Sequence, residues 1–300
     1  MAPILYEDRA MLVINKPSGL VAQSSDNDPH SIAHWIDYYE QAVQPPERPR
    51  TVHRLDRVTT GAMVLAKNLN SASTLSLQFK QRLVKKTYLA IAYGPAPLRS
   101  SQMGTLESNI SLDPDGRVKI DSNPPLSDAK TTEARAAYEV VATSEKYPGL
   151  SLLRLDLKTG VKHQLRVQLP WHLKVSILGD PLHKPPETVP LGTQPAFLQK
   201  LAARHVFLHS SYLEITRYHP KATRIGISAP IPHVFAELCD AAGFPLATHE
   251  RHGGVFENGR LLDAIPGHRV SAAYHGTWLP FWTVCPLDGS EAEGHTGLEA

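Results

Sequence analysis

The stretch His53-Arg54-Leu55-Asp56-Arg57-Val58-Thr59-Thr60-Gly61 runs straight into Ala62-Met63-Val64-Leu65-Ala66. The second half is a short unbroken apolar run, which reads as a buried strand. The first half is a polar loop that holds one carboxylate between two arginines and closes on a glycine. A reactive side chain in a loop is aimed by the rigid element to which the loop is fixed. On residue type alone, Asp56 is either a nucleophile or general base kept ionised by its neighbours, or one partner of an ion pair in a surface turn.

Upstream, Met11-Leu12-Val13-Ile14 reads as a strand stopped by the turn cluster Lys16-Pro17-Ser18-Gly19. Asp28 and Ser31 are caps for a helix that shows Ile32, Trp35, Ile36, Tyr39 and Val43 on one face. Downstream, Asn68 caps a second helix whose apolar positions Leu69, Ala72, Leu75, Phe79 and Leu83 have helical spacing. Residues 87–93 form a strand that ends at Gly94-Pro95, and residues 110–120 form a hairpin around Asp113-Pro114-Asp115-Gly116. Leu153, Leu155 and Leu157 alternate with polar residues in a half-buried strand. A short helix then carries Leu165 and Leu169 inward until Pro170 stops it. A last core helix follows Pro232, shows Val234, Phe235 and Leu238 to the core, and ends at Gly243.

The chain has 300 residues, is 42% hydrophobic and carries a net charge of +2, which suits a globular enzyme. Nucleic-acid binding would have to come from local patches, not from the global field. Two cysteines, Cys239 and Cys285, give no disulfide framework and suggest a reducing, intracellular compartment. No apolar run approaches the ~18 residues of a membrane span, and no signal peptide or presequence is evident. His249-Glu250-Arg251-His252 misses the zinc-binding H-E-x-x-H spacing, and the acidic turn at 113–116 misses the calcium-loop spacing, so no metal or other cofactor is expected.

The loop motif at 53–61 resembles the catalytic signature of the RluA-type pseudouridine synthases. Asn15-Lys16-Pro17-Ser18-Gly19-Leu20, Lys86-Thr87-Tyr88-Leu89-Ala90, Lys158-Thr159-Gly160 with His163-Gln164-Leu165-Arg166-Val167, Ile177 to Leu182, and Leu208-His209-Ser210 fall in the order of that family. The likeness covers residues 4–240. It implies an α+β fold with a mixed, mainly antiparallel sheet flanked by helices. It also implies a catalytic domain at 1–244; residues 245–300 lie outside the likeness and read as an extension whose aromatic knot, Trp278 to Trp282, packs on the body. The first strand starts so near Met1 that we expect none of the small N-terminal RNA-binding domain many members carry.

The resemblance further implies a monomeric isomerase that turns uridines of ribosomal or transfer RNA into pseudouridine. Asp56 would be its catalytic carboxylate, Arg166 the partner of Asp56 through its planar fork, and Tyr88 the aromatic that stacks on uracil. Arg54 would enter the space left by the flipped base. Separately, the basic residues Lys80, Arg82, Lys85 and Lys86, with Arg48, Arg50 and Arg57, are candidates to line an RNA groove through phosphate contacts. Lys16 and Asp180 read as loop-fixing residues, as do His53 and Leu55. The chain departs from the pattern at Val161-Lys162, Gln168 and Lys174-Val175-Ser176. A non-catalytic RNA binder on the same scaffold is the competing reading. It would have no need of Asp56, Tyr88 and Arg166 together.

Overall fold

The computed structural model describes residues 2–23, 28–95, 98–113, 115–121, 131–184, 194–263 and 270–271. In chain order the elements are β1 (Ile4–Glu7), β2 (Met11–Lys16), α1 (Ile32–Val43), β3 (Arg50–Thr51), β4 (Thr60–Ala66), α2 (Leu69–Lys80) and β5 (Lys85–Tyr93). Then come β6 (Met103–Leu112), β7 (Val118–Asp121), β8 (Thr132–Thr143), β9 (Leu150–Leu157), α3 (Gln164–Leu173), β10 (Ser176–Ile177) and α4 (Ala196–Arg204). β11 (Leu208–Arg217), β12 (Thr223–Ser228), α5 (His233–Ala242), α6 (Thr248–His252), β13 (Gly254–Glu257), β14 (Arg260–Asp263) and β15 (Val270–Ser271) complete them.

The strands join in one sheet with the order β15-β1-β2-β4-β11-β5-β9-β8-β6-β7, and β12, β13 and β14 extend it from β11. Only β1–β15 and β4–β11 pair in parallel among the described strands. The fold is α+β with a mixed, mainly antiparallel sheet. Its central strands read as continuous apolar runs because both faces are covered. In β5, Tyr88, Ala90 and Ala92 pack with residues of α1 and α3. Leu89, Ile91 and Tyr93 pack on the other side with Leu198 of α4 and Phe235 and Leu238 of α5. The same alternation in β4 sends Met63 and Leu65 to the α1 side and Val64 to a cluster with Leu75 of α2.

Helix ends follow local chemistry. The Ser31 hydroxyl accepts the His34 N–H at 3.2 Å, and the Asn68 side chain accepts the Ser71 N–H at 2.8 Å. Gly243 closes α5 in the left-handed region. Two expectations need correction. Leu83 does not belong to α2: the helix ends at Lys80, Arg82 turns left-handed (φ 60°), and Leu83, like Leu69 at the other end, is exposed. Pro170 does not stop α3, which runs to Leu173. The proline removes one backbone bond, but buried Leu169 and partly buried Leu173 hold the last turn against the core. The hairpin at 110–120 forms, with Leu112 opposite Val118. Beyond residue 244, Glu250 of α6 receives two bonds from Arg154 of β9, at 2.8 and 3.1 Å, and β13 adds to β12. The aromatic knot at 278–282 lies outside the described residues.

Gly61 ends the Asp56 loop with φ +111° and sits beside Ser210 of β11. A Cβ there would stand 2.3 Å from the Ser210 carbonyl oxygen. Gly61→Ala therefore meets a backbone clash and a positive φ together. We expect it to cost about 2–5 kcal/mol of stability, read from the midpoint of urea unfolding. A loss under about 0.5 kcal/mol would show that β4 and β11 are not held this closely.

Candidate active site

A cleft opens where the Asp56 loop, β5, the end of β9 and the start of α3 meet. Asp56, Tyr88, His163 and Arg166 all line it. The loop takes its shape from three supports. Its own turn closes through Thr59 N–H to the Asp56 carbonyl, 3.1 Å. The Arg57 carbonyl accepts the Gly19 N–H at 2.8 Å and Lys16 Nζ at 3.2 Å. The half-buried His53 accepts the Val64 N–H on Nε2 at 2.9 Å and stacks on Phe79. Desolvation, with Lys86 nearby, pulls the His53 pKa down to about 3, so it serves as a neutral acceptor.

Lys16 is fully buried. Its ammonium donates to the carbonyls of Pro17, Leu20 and Arg57. Burial pulls its pKa down to about 7 against the attraction of Asp56. Lys16 thus does fix the loop, and it also sets a positive charge near the Asp56 carboxylate.

Arg166 is 3% exposed and Asp56 17%. The guanidinium does not use its fork on Asp56, as expected from the sequence. Nε and Nη2 bind the two oxygens of Asp180, each at 2.8 Å, and only Nη1 reaches Asp56, at 3.4 Å. Asp180 has a fully buried side chain. Burial pushes its carboxyl up, but the Arg166 bonds, the Leu182 N–H and the guanidinium charge outweigh this and hold it below the ordinary range. Sequence reasoning set Asp180 aside, and the one signal for it was its place in an ordered motif.

Tyr88 is buried, and Ser210 of β11 lies opposite it in register. Burial pushes its phenol above the ordinary range; the Ser210 hydroxyl works against this and the Asp56 charge adds to it. The hydroxyl is therefore protonated at neutral pH. Arg54 is exposed at the cleft and donates to Gln23 Oε1 at 2.6 Å. Lys86 shares the Tyr88 face of β5, and its Nζ donates to the Thr159 carbonyl at 2.9 Å. Burial, and then the charge of Arg82, lower its pKa to about 8. Lys85 points to the opposite face, 5.8 Å from the centre of the Tyr212 ring. Arg57 is exposed. Arg54 and Lys86 thus meet at the cleft and its margin, while Lys85 does not join them.

α3 is pinned by amides. Gln164 Oε1 accepts the Thr159 hydroxyl (2.7 Å) and the Val161 N–H (3.2 Å), fixing one wall of the cleft. Buried Gln168 donates to the carbonyls of Leu106 and Ala134 and accepts from Gln164. His163 precedes the helix in the left-handed region, and its Nδ1 lies 2.9 Å from Nε2 of His183. Neither histidine was singled out from sequence: His163 stood only as a motif letter, and His183 carried no signal.

One sheet-borne cleft thus holds a carboxylate, a buried guanidinium and a phenol. The family profile described as RNA pseudouridylate synthase matches residues 10–171. The chain is 32% identical over 241 residues to ribosomal large subunit pseudouridine synthase D of Haemophilus ducreyi, covering 79% of this chain and 70% of that one. It is 30% identical over 250 residues to the protein of that name from Escherichia coli strain K12, covering 82% and 72%. Among solved structures, human RNA pseudouridylate synthase domain containing 4 superposes with a TM-score of 0.66 at 24% identity, over 81% of this chain and 94% of that one, which bears on the fold. The chain belongs to the RluA-type RNA pseudouridine synthase family and is an isomerase acting on RNA. Among the described residues, no helix is long and apolar enough to cross a membrane.

Asp180→Asn leaves Arg166 buried without its main counter-charge. We expect a loss of about 3–5 kcal/mol at pH 7, since breaking a buried pair strands the other charge. Because the folded pKa of Asp180 is depressed, its contribution is present above the unfolded carboxylate value of about 4. It is lost as pH falls through the lower folded value. The wild-type advantage should therefore shrink in acid, as followed by denaturant melts across pH. An advantage that grows in acid would contradict this assignment.

Proposed function

We propose that this chain converts a uridine of large-subunit ribosomal RNA into pseudouridine, with Asp56 as the catalytic carboxylate. The observation that carries the site reading is the meeting of Asp56, Tyr88 and Arg166 in one cleft. The ribosomal assignment rests on the printed names of the relatives.

The reaction cuts the N1–C1′ bond, turns the base and rejoins C1′ to C5. It needs a carboxylate beside the sugar, a slot for uracil and a way to draw the nucleotide from its stack. Asp56, at the partly open mouth of the cleft, meets the sugar. Its single 3.4 Å contact to Arg166 leaves the carboxylate a free oxygen for this. The ring of Tyr88 offers a flat face for the flipped pyrimidine, and its protonated hydroxyl a polar handle. Arg54, exposed beside the cleft, fills the gap left in the stack, where a planar guanidinium recovers part of the few kcal/mol lost on unstacking. Lys86 and Arg57 hold phosphates near the target, and Lys85, on the far face of β5, meets the RNA only farther along the backbone.

Incubation of the purified protein with large-subunit ribosomal RNA transcripts and with transfer RNA tests this. Pseudouridine should form in the ribosomal transcript. Asp56→Asn should bind the same transcript within a few-fold of wild type but lose roughly 1000-fold or more in rate. Product from transfer RNA alone would overturn the substrate assignment, and an active Asp56→Asn the catalytic one.

A further inference from the structure

Isomerisation moves a proton as well as a glycosidic bond. In uridine C5 carries hydrogen and N1 carries the sugar; in pseudouridine the two are exchanged. Once C1′ has bonded to C5, the C5–H bond must break. Its electron pair returns to the ring as the C5=C6 double bond, the proton goes to a base, and N1 gains a proton. The acceptor is either the carboxylate, once it has left the sugar, or a second group of the cleft with a free lone pair.

Few of its side chains qualify. The guanidiniums of Arg54 and Arg166 have no lone pair to give. Lys162 Nζ is committed to the Gly116 carbonyl at 3.0 Å. The Gln164 amide is spent on Thr159, Val161, Arg135 and Gln168. The Tyr88 phenol holds its proton. His163 remains: it lines the cleft, its Nδ1 is taken by His183, and no described group bonds its Nε2.

Resting on the reading of this cleft as a uridine isomerase, we infer that His163 Nε2 accepts the C5 proton and that His183 is the positioning residue which holds it there. In the required tautomer, Nδ1–H of His163 donates to Nε2 of His183, which leaves the Nε2 lone pair of His163 unshared among the described residues. The two rings stand nearly perpendicular, 76° apart, so the bond fixes the His163 ring as well as its proton. The imidazolium formed passes its proton to N1, directly or through water, and no net proton is consumed.

The charged groups around the pair are Asp56, Arg166, Lys162 and Asp180. Burial pulls His163 down to about 4; Asp56 opposes this, and Arg166, His183 and Lys162 add to it. The imidazole is thus neutral and available through the physiological range. A weak base is enough, because losing the C5 proton restores the conjugated ring.

The test uses full-length protein and a cognate transcript made with uridine carrying either hydrogen or deuterium at C5, under single turnover. His163→Asn keeps a residue type that tolerates the left-handed backbone. It should lose about 100-fold or more in rate and show a larger 5-deuterium isotope effect than wild type, because proton removal becomes limiting. His183→Phe should show a smaller loss with an intermediate isotope effect, and His183→Gln, which restores an acceptor, should recover the wild-type effect. Thermal melts and transcript binding check that each variant is folded. An unchanged isotope effect in a folded His163→Asn overturns the inference, as does a raised effect confined to Tyr88→Phe. Neither result touches the role given to Asp56. If wild type makes no product from any RNA, both readings fall.

Discussion

The site depends on how one buried guanidinium divides its hydrogen bonds. Arg166 is taken out of water with almost nothing exposed, and such a charge must be paired to be tolerated. Asp180, equally dry, takes the two strong parallel bonds. What remains for Asp56 is one longer contact from the third nitrogen. The division has a chemical consequence. Had Asp56 taken the fork, it would have been locked and its oxygens filled. With Asp180 in that place, the guanidinium is neutralised and rigid, and Asp56 feels its charge while keeping room to meet a substrate. Lys16 lies near enough to feel the Asp56 charge, which favours its ammonium while burial opposes it.

The scaffold brings these groups together from stretches far apart in sequence. Strand alternation decides which side chains of β5 reach the cleft: Lys86 and Tyr88 share its face, and Lys85 is sent to Tyr212. The Asp56 loop is held from outside by the Gly19 N–H and the Lys16 ammonium, which converge on the Arg57 carbonyl. α3 is tied to β6 and β8 by two glutamines four residues apart, which turn one helix face into hydrogen bonds with the sheet. With that face fixed, Arg166 is aimed the other way, at Asp180 and Asp56. The geometry of the cleft follows from satisfying buried polar groups, since each unpaired one would cost on the order of 1–3 kcal/mol.

What the sequence revealed was what is local. Ser31, Asn68 and Gly243 mark helix ends by chemistry that acts within three or four residues, and the apolar runs at 62–66 and 87–93 became strands covered on both faces. Pro170 misled because a missing backbone bond is local while the packing that outweighs it is not. Leu83 misled because helical spacing continues past a residue, Arg82, whose left-handed turn no pattern announces. Asp180 was passed over as a loop residue because a buried charge is recognised by its partner, and Arg166 lies 14 residues away. His183 sits in a loop with no periodicity at all. Lys85 and Lys86 received one role from sequence, although strand alternation puts neighbouring residues on opposite faces.

The departures from the family pattern acquire different meanings once placed. Gln168 is fully buried, with its amide spent on backbone carbonyls and a neighbouring side chain. It cannot touch RNA, so its exchange for another residue alters only how α3 is anchored. Lys174 lies beyond the helix end in the left-handed region, with its ammonium on the Trp171 carbonyl. Val161 and Lys162 stand on the cleft wall itself, between the Thr159–Gly160 turn and His163. Lys162 also ties that wall to the turn of the β6–β7 hairpin through the Gly116 carbonyl. A substitution can change substrate choice only where the substrate can reach it. Of the departures noted, residues 161 and 162 therefore bear most directly on which RNA the cleft admits, and they do so by shaping the wall opposite the Asp56 loop.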